Sequence, residues 1–207
     1  MYKKQMIFQR VVCLVVLAAS ALVFIYSLGI MTDIYESLYR AIDLDLSKYD
    51  KETGEIIEYY EQIKGAVIYY DMQEFNSQLT MVGIGLILVS LVLFVFCTHS
   101  RRRYYAGNFF SVALSVIACG AAAFWALPIV EQYKQQFLNT VDFDQMKTFA
   151  EKWGSKYTES TFWFDAGYIV FGILALANVL LIVNLVLKLF LMKEEKRTIG
   201  SRKDVRA

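Results

Sequence analysis

Four long stretches of this chain contain no Asp, Glu, Lys, Arg or His, and they constrain it more than any other feature. They run Val11–Thr32 (22 residues), Phe75–Thr98 (24), Tyr104–Val130 (27) and Ala166–Leu187 (22). Crossing about 30 Å of hydrocarbon as a helix takes about 20 mostly apolar residues. A surface helix of a soluble protein shows a polar face, and none of these stretches has one. The expected fold is therefore an all-α integral membrane protein: a four-transmembrane-helix bundle in one membrane domain, with spans at about 11–32, 75–98, 104–130 and 166–187. A mean hydropathy of +0.41 and a hydrophobic content of 57% exclude a disordered chain. The first stretch has the basic flank Lys3-Lys4 and the small residues 18–21, as a signal peptide would. Its apolar run exceeds the about 7–15 residues of a signal core, so it is expected to remain as an anchor.

Charge sets the expected orientation. Residues 1–10 carry a net +3, the link 99–103 carries +3 through Arg101, Arg102 and Arg103, and the tail 188–207 carries +4. The segments between the other span ends are acidic: −7 over 33–74 and −2 over 131–165. Lys and Arg in short loops favour the cytoplasmic side. The termini and the 99–103 link are therefore expected in the cytoplasm, and loops 33–78 and 131–164 outside. The basic residues already serve as a topology signal, so the expected contact is the lipid bilayer and not nucleic acid. No Asn-x-Ser/Thr sequon is present, which is consistent with a bacterial plasma membrane.

Both outer loops are too long for simple hairpins and lack proline. In the first, Ile34, Leu38 and Ala41–Ile42 recur at helical spacing and could prolong the first span. Ile56, Ile57, Tyr60, Ile63, Val67 and Tyr70 form a second stripe, and Phe143, Met146, Phe149–Ala150 and Trp153 a third that ends near Gly154. These stripes predict a small extracytoplasmic helical cap. Tyr59, Tyr60, Ile63, Val67, Tyr70, Phe143, Phe149 and Trp153 are candidate interface residues, because aromatic side chains are enriched where proteins meet. They would serve equally as the internal core of the cap. Tyr60-Glu61-Gln62-Ile63-Lys64 also echoes Phe143-Asp144-Gln145-Met146-Lys147, a five-residue likeness between the halves.

Nothing in the spans points to catalysis. Membrane enzymes place ionisable or metal-binding residues inside the bilayer, and these spans carry only Cys13, Cys97 and Cys119. The single histidine, His99, has no ligand set at metal-binding spacing. No catalytic residue, cofactor or metal is expected. The polar groups Ser111, Ser115, Asn178 and Asn184 are candidate intramembrane contacts between helices. Asn178 and Asn184 lie six positions apart and so do not share one face well. Pro128 is expected to loosen the third span near its outer end. The functional expectation is a non-enzymatic accessory, assembly or interaction subunit of a larger membrane complex, hetero- or homo-oligomeric. The alternative is a small oligomeric transporter or channel.

Overall fold

In a computed structural model the chain is helical, and four of its helices are long and apolar enough to cross a membrane: Lys4–Ser27, Ile68–Thr98, Asn108–Thr140 and Phe162–Glu195. The structure describes residues 2–29, 33–43, 60–61, 63–99 and 106–204. The elements, in order, are α1 Tyr2–Ser27, α2 Ile34–Arg40, β1 Ile42–Asp43, β2 Tyr60–Glu61, α3 Ile68–His99, α4 Ala106–Thr140, α5 Phe143–Trp153 and α6 Phe162–Asp204. Each long helix buries one stripe at helical spacing. On α6 the stripe is Phe171, Leu174, Ala177, Leu181, Asn184 and Lys188. The opposite faces are also apolar, with Ile7 on α1, Met81 on α3, Phe124 on α4 and Leu176 on α6 all exposed. A helix with apolar side chains all round satisfies its backbone internally and needs no water on any side.

All four long helices outrun their charge-free stretches, α1 by starting at Tyr2, before Val11. α3 begins at Ile68, about two turns before Phe75, α4 continues through Pro128 to Thr140, and α6 passes Leu187 to reach Asp204. A charge-free run marks apolar depth, whereas a helix continues for as long as its charged side chains can face outward. The first outer loop also departs from the expected helices. Gly29, at φ +62°, ends α1, so α2 is a separate helix and not its extension. Ile42 pairs with Glu61 and Asp43 with Tyr60 in a two-residue antiparallel ladder. Among its described residues the stripe from Ile56 to Tyr70 is helical only from Ile68, and residues 56–59 lie outside them. The five-residue likeness has no structural counterpart, because Tyr60–Glu61 is extended and Phe143–Lys147 is helical.

Residue contacts divide the chain into two compact units: residues 1–23, 82–124 and 170–207, and residues 24–81 and 125–169. The division coincides with a division of charge. The first unit holds thirteen basic and three acidic side chains, a net +10, and the second eight basic and seventeen acidic, a net −9. Below they are the basic and the acidic unit.

In the basic unit, Ser20 Oγ lies 2.8 Å from Ser90 Oγ, tying α1 to α3: one hydroxyl donates across while the other donates to its own helix, at Val16 O or Leu86 O. Such hydrogen bonds between apolar helices average about 0.6 kcal/mol in double-mutant cycles. A Ser20→Ala/Ser90→Ala cycle is expected to give a coupling of that size in detergent-based unfolding. A coupling indistinguishable from zero would remove this contact from the account.

The acidic unit has an aromatic core. Trp163 is fully buried and stacks on Tyr26 with ring centroids 5.0 Å apart, and it meets Tyr35 and Phe164 edge-on. Asn76 Nδ2 donates to Tyr35 Oη, and burial pushes the Tyr35 phenol well above its ordinary value. Lys156 joins α2 through Asp33 at 2.8 Å and Glu36 at 2.9 Å. These carboxylates, Asp33 foremost, hold the Lys156 ammonium above the usual lysine value. A raised lysine value means this contribution is intact at neutral pH and is lost only as pH rises through that value. It is exposed and therefore salt-sensitive.

Candidate functional site

The acidic unit carries a groove along α5. This helix forms because Asp142 caps its start, accepting from Gln145 N at 3.0 Å, and Gly154 at φ +61° ends it in the left-handed conformation. Its buried face, Met146 and Ala150, belongs to the core of the unit. Its other apolar edge does not. Trp153 is 65% exposed, with Phe149 beside it at 6.4 Å between ring centroids. Lys152 Nζ lies 5.2 Å from the Trp153 ring, within the range of a cation–π contact. These two rings flank a groove of about 500 Å³ floored by Ile63 and edged by Asp144, Gln145, Thr148 and Lys152.

The candidate interface residues therefore fall into separate environments. Ile63 is buried, Val67 and Tyr70 are half-buried, and half-buried Phe143 packs edge-on against Phe137 at 5.2 Å. Phe149 and Trp153 line the open groove, together with buried Ile63. Tyr60 takes part through its backbone in the ladder, and Tyr59 lies outside the described residues, as do Arg101, Arg102 and Arg103.

The basic unit holds a second concentration of polar groups, drawn from all four long helices. Gln5 Nε2 lies 3.1 Å from both Gln9 Oε1 and Asn184 Oδ1, and Gln9 Nε2 donates to Cys97 O at 2.9 Å. Ser111 Oγ donates to Asn108 O at 3.2 Å. With its amide turned so that the nitrogen donates to Phe96 O, Asn108 presents its oxygen 3.3 Å from Lys188 Nζ. That ammonium also sits 4.8 Å from the centre of the Phe109 ring. Asn178 occupies another contact, donating to Val116 O at 3.2 Å where Gly120 leaves room for it. Ser115 is buried with no hydrogen bond to its hydroxyl among the described residues.

Lys188, Gln5 and Gln9 are buried residues outside the charge-free stretches, and buried Asn108 lies within the third. Lys188 counted as part of the basic tail and Gln5 and Gln9 as part of the basic N-terminus. A signal did exist: Lys188 lies four residues after Asn184 on the same stripe, and Gln5 and Gln9 are spaced likewise.

No protein-family model matches this chain, and no curated protein or solved structure matches it. Its function must be argued from its own surfaces.

Proposed function

We propose that this chain is a multi-pass plasma-membrane protein acting as an accessory or interaction subunit of a larger membrane complex. In this reading the four long helices form the membrane bundle, with both termini and the 99–103 link in the cytoplasm. The outer loops 33–78 and 131–164 form the extracytoplasmic cap, and the α5 groove receives another membrane protein's outer segment. The coincidence of the +10 and −9 charge halves with the two contact units supports the orientation.

One observation carries the functional reading: Trp153 stays exposed beside Phe149 over a preformed groove, while Trp163, Phe137 and Phe164 are taken up in the core of the unit. Tryptophan is among the residues enriched at interface hot spots, and removing such an anchor costs about 2 kcal/mol or more. Exchanging the native chain for Phe149→Ala/Trp153→Ala in its own membrane is expected to lower co-purifying polypeptide about 30-fold. Unchanged co-purification at equal expression would reject the groove as the docking site.

A further inference from the structure

We propose that Lys188, with Asn108 beside it, forms a seat for the phosphate of an anionic membrane lipid. The inference is independent of partner docking and concerns the basic unit alone. Lys188 is only 8% exposed. Its ammonium has three N–H donors, and its neighbours are one amide oxygen, from Asn108, one ring face, from Phe109, and the thiols of Cys97 and Cys13 within electrostatic range. Among the described residues no carboxylate lies within ion-pair distance of it. A buried ammonium without a counter-charge is costly, and a bound anion lowers that cost.

The chain is poorly placed to supply that anion. The basic unit contains only three acids, Glu194, Glu195 and Asp204, against thirteen basic side chains. Glu194 and Glu195 follow Lys188 on α6 and have interactions of their own. The link that joins α3 to α4 next to Asn108 adds three arginines and no acid. A bilayer offers a counter-charge as lipid phosphate, which lysine binds as a point charge.

The test uses the intact protein in detergent, titrated with phosphatidylglycerol, phosphatidylcholine or inorganic phosphate. Bound lipid is counted by native mass spectrometry and stability is followed as Tm. Phosphatidylglycerol is expected to bind the wild type and raise its Tm, and phosphatidylcholine is not. Lys188→Met should weaken phosphatidylglycerol binding about tenfold or more, the loss of one charge-assisted contact. Without lipid, Lys188→Met should melt at or above the wild-type temperature, because it removes an unpaired buried charge. Lys188→Arg should keep binding, and Lys193→Met, an exposed neighbour on the tail, should not change it. If Lys188→Met does not fold, Lys188→Gln takes its place. Equal phosphatidylglycerol binding by the neutral variant would overturn the site, as would a wild type indifferent to headgroup. Stabilisation by inorganic phosphate equal to that by the lipid would overturn the lipid assignment.

Discussion

Replacing Trp163 by alanine is expected to destabilise the folded chain by about 3–5 kcal/mol, the usual cost of deleting a large buried ring. Trp163 is 2% exposed and touches three aromatic partners, Tyr26, Tyr35 and Phe164, which come from α1, α2 and α6. Its removal leaves a cavity that these rings cannot close without giving up their own contacts. The indole N–H, in contrast, is buried with no hydrogen-bond partner among the described residues. Trp163→Phe therefore loses ring area and no hydrogen bond, and is expected to cost well under half as much as alanine. Unfolding of the two variants in mixed detergent, followed by near-ultraviolet circular dichroism, measures both. Equal loss in the two would mean that the indole nitrogen, and not the ring area, carries the stability.

Gly65→Ala should come next in severity, at about 2–4 kcal/mol, combining a left-handed backbone with a collision. Gly65 has φ +84°, and an added Cβ would sit 2.5 Å from Thr140 O and 2.8 Å from Val141 N. Those are backbone atoms at the corner between α4 and α5, pinned by Asp142 N donating to Lys64 O at 3.1 Å, so they cannot step aside cheaply. Gly154 provides the control. It has φ +61°, yet nothing lies within 4 Å of an added Cβ. Gly154→Ala therefore pays only the backbone penalty, about 1 kcal/mol. If both alanine variants lose the same stability, the close approach at Gly65 is not real.

The four membrane-length helices were legible because charge-free runs of more than twenty residues have few other uses. The end of α5 was legible too, because Gly154 follows a helical stripe and supplies the left-handed cap. What escaped was set by tertiary contact. Nothing local announces that Ile42–Asp43 will pair with Tyr60–Glu61, since two-residue ladders depend on the packing that brings them together. Lys188 was hidden by its charge. Treated as a tail residue it joins a topology signal, yet in the fold it continues the buried stripe of α6. The division of the aromatic stripes into core and open edge was equally out of reach, because spacing places residues on a face without saying what covers it. Ile63 forms the floor of the groove and Trp153 stands exposed above it, although both satisfy the same helical periodicity.

The most direct test of the interaction reading is the mass of the intact particle, extracted gently from its native membrane and weighed by native mass spectrometry. The chain itself contributes 23.8 kDa. The account predicts a particle heavier than any whole multiple of that mass by one or more other polypeptides, and predicts that Phe149→Ala/Trp153→Ala sheds them. A bare monomer, or an oligomer built of this chain alone, would contradict it and turn attention to conduction through a homomeric assembly.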